Sequence, residues 1–147
     1  FTTYPLHSVS VFDDLVRLIG NLTKTLHTDF NIGPERSIGI RSMSASMSSH
    51  GQIIEKQFFS DAFIYGVYFL QTPANSGTIS IQQEITDRTY FAPISGSDPN
   101  PLNTNNFQCM IPEGSIFLMP SHLTTSFSAN LNSKNRYMIH FLLKILK

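Results

Sequence analysis

The residues able to do chemistry in this sequence are few and widely spaced. His50, His122 and His140 are the candidates for metal ligation, with Asp61 or Glu55 as the carboxylate that a mixed site would use. Arg136, Met138 and His140 stand two residues apart, so on a strand they share one face, and His140 would point into the same interior as Arg136. Isolated histidines in a β protein are more often hydrogen-bonded structural residues, and that reading stands beside the metal one. Cys109 is the only cysteine, which excludes an internal disulfide and a cysteine zinc site. It lies in an apolar stretch and reads as core rather than as a nucleophile. The chain has no nucleophile elbow, no glycine-rich phosphate loop and no HExxH helix.

The elements that must position these residues follow from composition and periodicity. A chain of 147 residues is long enough for one domain burying roughly 70% of its unfolded surface. Ten basic and ten acidic residues give zero formal charge, and only 14% of positions are charged against a usual value of about 25%. A basic patch for nucleic acid or an anionic membrane is therefore not expected, and charge repulsion will not hold copies apart. No stretch approaches the roughly 18 apolar residues of a membrane span, and no signal peptide is visible. Phe1 in place of Met fits a processed, trimmed or partial product.

Phe63 to Leu70 (FIYGVYFL) is uncharged and rich in aromatic and β-branched residues, which predicts a buried central strand. The turn signal QTPANSG follows, and Thr78 to Gln82 (TISIQ) is expected to return alongside as the second strand of a hairpin. Gly66 marks a bulge or close backbone approach, or a small residue packed under an aromatic. Upstream, Val11, Leu15, Leu18, Leu22 and Leu26, with Val16 and Ile19, predict one amphipathic helix over about residues 11–26. Ser10 and Asp13 have capping-box spacing at its start. The sequon at Asn21 falls within that helix and reads as chance. Ile38 and Ile40, then Met43, Ala45 and Met47, alternate with polar residues as one or two half-buried strands. Further strands are expected around Phe107 to Ile111, Ser115 to Met119, Phe127 to Ala129 and Arg136 to Leu146. Thr86 to Asn106 is a Pro- and Asn-rich loop too long for a mere connector, hence a functional loop or interaction surface.

One helix followed by seven or eight short strands suggests a sandwich or jelly roll. Several strings go further. YGVYFLQTPANSGTISI resembles the SGVYYL…P.NSG.L.F core of the small, phage-abundant branch of Fe(II)/2-oxoglutarate oxygenases. PEGSIFLMPSHL is similar to that family's GDLVLFPSWL segment, NRYMIHF to its closing R-x-S-I-x-F strand, and YPLHSVSVF before a helix to its usual opening. The resemblance covers most of the chain in order and spacing. It implies iron held by a His-x-Asp or His-x-His pair before the central strand and by a distal His after the PSW segment. Carried onto this chain, those positions fall on Gln57, Phe59 and Thr125, none of which is a competent ligand. Arg136 matches the arginine that anchors the co-substrate carboxylate, or it is a structural residue at a strand start.

The expected architecture is mainly β: a double-stranded β-helix, or jelly-roll sandwich, in a single domain over residues 1–147. Its N-terminal helix spans about 11–26, its β core about 36–147 and its long loop about 86–106. Ile64, Val67, Phe69, Ile79, Ile81, Phe117 and Ile139 are expected to be largely buried. The expected function is that of a non-catalytic, oxygenase-like structural or assembly protein. In phage terms that means a virion component such as a capsid decoration or tail-associated subunit. It would have no cofactor, no catalytic residue, no metal and a vestigial Arg136. Its partners would be other protein subunits rather than nucleic acid, and its location the virion or otherwise the cytoplasm. The alternatives are an Fe(II)/2-oxoglutarate dioxygenase with unusual ligands and a small-ligand or glycan binder using the pocket around Arg136.

Overall fold

The alternating side chains of the central segment give it two apolar faces, so it must be covered on both. In the computed structural model, which describes residues 5–82 and 106–147, that need is met by two layers. The strands are β1 (Ser37–Ser48), β2 (Ile54–Gln57), β3 (Ile64–Gln71), β4 (Ile79–Gln82), β5 (Asn106–Cys109), β6 (Ile116–Pro120), β7 (Thr124–Phe127) and β8 (Arg136–Leu146). They form two antiparallel sheets ordered β1-β8-β3-β6 and β2-β7-β4-β5. Strand 1 thus pairs with 8, 2 with 7, 3 with 6 and 4 with 5, the topology of a ribbon of paired strands rolled into a double-stranded β-helix, or jelly roll.

Tyr65, Val67 and Phe69 of β3 face the second sheet and meet Ile79, Ile81, Met119, Phe127 and Met138. Ile64, on the other face, joins Ile139, Phe141, Leu143 and Met43 under the helix. Gly66 sits on that second face because a Cβ there would lie 2.2 Å from the Phe141 ring. It is the small residue packed beneath an aromatic. Phe117 is only half-buried, because β6 is the edge strand of its sheet.

The expected hairpin between β3 and β4 does not form. The 72–78 turn, with Asn75 at φ 59° and Gly77 at φ 97°, carries the chain across to the other sheet. There β4 pairs with β5 and β7. Crossing lets the apolar faces of both strands pack against each other across the interior, which pairing side by side in one sheet would not.

The helix α1 runs Asp13–Asp29 after two short 3-10 turns at Leu6–Ser8 and Ser10–Phe12. The expected capping box is absent. The residue before the helix is Phe12, no side chain caps it, and the Asp13 amide bonds the Ser10 carbonyl instead. The 3-10 turn thus satisfies an amide that a serine hydroxyl otherwise would. Asp13 and Asp14 still complement the positive end of the helix. Ile19 is wholly buried and Leu15, Val16 and Leu26 pack around it, whereas Val11 and Leu18 remain exposed. The last turn closes on Asn31, at φ 48°, whose amide bonds the Thr28 carbonyl.

One strand, β1, holds the whole 37–48 stretch, with a bulge between Ile40 and Ser42. Of its apolar residues, Met43 is buried and Ile38 and Ile40 are half-buried on the helix side, while Ala45 and Met47 are exposed. Its opposite face, which pairs in register with the inward residues of β8, presents Ser42, Ser44, Ser46 and Ser48. Ser46 and Ser48 are buried. The interior wall of the sandwich is therefore serine on this side, the reverse of an ordinary apolar-inward strand. Of the long loop Thr86 to Asn106, only Asn106 lies within the described residues, where it begins β5.

Candidate functional site

The strand pairing draws the expected metal positions toward one end of the sandwich. Gln57, the last residue of β2, lies opposite Thr125 of β7. Phe59, two residues on, packs against Tyr65 with ring centroids 4.6 Å apart. A partly open pocket of about 250 Å³ lies here, walled by Ser42, Ser44, Gln57, Phe59, Tyr65 and His140 among others. Thr125 is buried and its hydroxyl donates to the Met119 sulfur at 3.0 Å.

The inward face of β8 carries Arg136, Met138 and His140, as the period of two requires. His140 is bound through both ring nitrogens: Nε2 lies 2.5 Å from Ser46 Oγ and Nδ1 lies 2.5 Å from Tyr65 Oη. A neutral imidazole has one donor and one acceptor nitrogen, so these two hydroxyls use its whole capacity. Burial, helped by the positive charge of Arg136, pushes His140 down to about 4 and keeps it neutral. Burial likewise pushes the Tyr65 phenol up, so it stays protonated.

Arg136 lies toward the opposite end, fully buried, with neutral partners. Its Nη1 donates to the Ser76 carbonyl at 2.6 Å and the Ser128 carbonyl at 3.3 Å, and its Nη2 to Ser48 Oγ at 3.4 Å. The guanidinium stands 5.5 Å over the Phe127 ring, and burial lowers its pKa. Beside it, the buried Asn130 amide donates to the Ser48 and Lys134 carbonyls, and its carbonyl accepts from the Asn132 amide. The two residues pin the ends of β1, β4, β7 and β8 together. Phe127 touches both Arg136 and His140, its ring edge-on to the imidazole at 6.0 Å. A line of side chains (Tyr65, His140, Phe127) therefore fills the interior between the pocket and Arg136.

The remaining candidates are not brought together. His50, in the turn after β1, is exposed and places Nδ1 3.3 Å from the Asn132 carbonyl. His122 is exposed in the turn between β6 and β7, at the other end of the sandwich. Asp61 is spent on Arg41, whose guanidinium bonds both its carboxylate and its backbone carbonyl, and this keeps the Asp61 carboxyl below its usual range. Glu55 is exposed on β2. Cys109 is half-buried against the core, and burial raises its thiol pKa. Among the described residues, no group of three or more His, Cys, Asp or Glu is placed to hold a metal ion. An Fe(II) site needs three donors facing one point, and the described residues at this end do not supply them. Also among the described residues, no helix is long and apolar enough to cross a membrane.

Sequence reasoning places His140 and Arg136 on one face but does not reveal the Ser46–His140–Tyr65 network. Its only signal is that alternate residues of three strands bring a serine, a histidine and a tyrosine inward.

No family model matches the sequence, and no curated protein matches it. Solved structures match the fold. An oxidoreductase of the 2OG-Fe(II) oxygenase family from Burkholderia pseudomallei superposes with a TM-score of 0.63 at 11% identity, over 90% of this chain and 57% of that one. A prolyl-4-hydroxylase from Pseudomonas putida gives 0.60 at 11% identity, over 90% and 64%. HygX from Streptomyces hygroscopicus, solved with nickel and 2-oxoglutarate bound, gives 0.58 at 10% identity, over 97% and 70%. The chain thus spans less than two thirds of the first two proteins. The jelly roll is of the oxygenase-like kind.

Proposed function

We propose that this chain is a non-catalytic, oxygenase-like jelly roll that serves as a structural or assembly protein. The particle proposed is a phage virion, with the chain as a capsid decoration or tail-associated subunit. One observation carries the non-catalytic part: Tyr65, His140 and Phe127 fill the interior, and both nitrogens of His140 are already bonded. On this reading Gln57, Phe59 and Thr125 stand where iron ligands would be, as an amide, a hydrocarbon ring and a hydroxyl bonded to sulfur. Arg136 is then a latch between strand ends, its fork closed on two backbone carbonyls and Ser48.

The assembly part is supported by the surface. Ile53 and Leu131 are 59% and 65% exposed on neighbouring loops, joined by the Asn130 amide and Gln52 carbonyl. With only 14% of residues charged, docking there carries little electrostatic cost. The resemblance to a phage-abundant family supports the choice of particle. Quantitative mass spectrometry of purified virions tests the reading. Stoichiometric presence, lowered by Ile53→Asp or Leu131→Asp, is the expected result; absence from the particles refutes it.

A further inference from the structure

Among the described residues the pocket at the Gln57 end is lined by neutral side chains, and beside the mutually bonded Tyr65 and His140 it carries polar groups with no protein partner. Ser42, Ser44 and Gln57 line it, and none of the three side chains makes a hydrogen bond within the described structure. Ser44 and Gln57 are half-buried and Ser42 is exposed at the pocket mouth, so all three are open to solvent or to a ligand. Three such side chains lining one partly open pocket offer both donors and acceptors to something that enters it. We infer that this pocket binds a small, neutral, polyhydroxylated ligand about the size of one hexose.

The lining chooses the class. Serine hydroxyls and a glutamine amide each donate and accept, so the matching group is another hydroxyl rather than a pure acceptor such as phosphate. Among the described residues no free charge stands in the wall. Arg136 does not line the pocket, its Nη1 being held by the Ser76 and Ser128 carbonyls and its buried Nε left without a partner, and Arg41 is held by Asp61, so a carboxylate or phosphate would be desolvated without a counter-ion. His140, with both nitrogens bonded, adds no charge at neutral pH. Phe59, half-buried and backed by Tyr65, supplies the flat apolar surface on which the C–H face of a sugar ring packs. The volume of about 250 Å³ equals that of about eight waters at liquid density, room for one sugar ring and not for a chain of them.

The inference stands apart from the assembly reading. A chain that binds no sugar but is built into virions removes only the first, and a sugar-binding chain absent from virions removes only the second. Saturation-transfer NMR on the whole chain with glucose, galactose, mannose and N-acetylglucosamine at millimolar concentration provides the test, with 2-oxoglutarate and glucose 6-phosphate as charged probes. At least one neutral sugar should bind and the charged probes should not. Gln57→Leu, which keeps shape and removes the amide, should weaken binding about tenfold, as should Phe59→Ala. Ser44→Leu should abolish binding by filling the pocket; if it does not fold, Gln57→Leu still decides. Failure of every neutral sugar to bind, binding unmoved by Gln57→Leu and Phe59→Ala, or tighter binding of a charged probe would each overturn the inference.

Discussion

Acid should loosen this fold through His140. Its imidazole is neutral in the folded chain, with the titration pushed from 6.5 down to about 4 by burial and by Arg136. In the unfolded chain it takes up a proton near its ordinary value. The unfolded state therefore binds more protons between the two values, and stability falls as pH drops from about 6.5 toward about 4. Each unit in that window costs about 1.4 kcal/mol. At about pH 5 the loss is 1.5 units' worth, or about 2 kcal/mol. The groups that face the ring are Tyr65 from β3, Ser46 from β1, Phe127 from β7 and Arg136 on its own strand. None is a carboxylate that could hold the imidazolium. Asp61, kept low by Arg41, loses its contribution only as pH falls through its own depressed value, below this window. Urea unfolding followed by far-UV circular dichroism at neutral pH and at about pH 5 measures the effect. With a urea m-value of about 2 kcal/mol/M the midpoint should drop by about 1 M. His140→Gln, which cannot titrate, should lose most of that drop. A variant that keeps the full shift would refute the reasoning.

Two substitutions probe the packing. Gly66→Ala forces a methyl group into the Phe141 ring, and should cost about 1–3 kcal/mol. Phe141→Leu in the same chain should recover part of it, as double-mutant unfolding would show. Arg136→Lys cannot reach Ser76, Ser128 and Ser48 at once and should cost about 2–3 kcal/mol of unfolding free energy. An unchanged urea midpoint would remove the latch.

The fold was largely legible because its strands advertise themselves. The apolar run of β3, the Pro and Gly turns and the long β8 leave little choice of element. Its pairing was not. Residues 72–78 look like a hairpin turn, and only the need to pack Ile79 and Ile81 opposite Val67 and Phe69 sends β4 into the other sheet. The interior serines of β1 were hidden for a similar reason. Periodicity shows that Met43, Ala45 and Met47 share a face, but not that the helix covers only the first of them. At the candidate site, the shared face of Arg136 and His140 follows from spacing alone. What occupies His140 does not, because Ser46 and Tyr65 are 94 and 75 residues away along the chain. The partners of Arg136 were equally invisible, since two of them are backbone carbonyls that any sequence supplies.

The central claim, an oxygenase-like fold without oxygenase chemistry, is tested most directly by titrating Fe(II) and 2-oxoglutarate into the protein under anaerobic conditions. On the proposed reading, in which Gln57, Phe59 and Thr125 stand at the ligand positions, and with His140 held at both nitrogens, the expected result is no visible charge-transfer band. A band that appears on titration and vanishes in His140→Ala or His122→Ala would contradict the account.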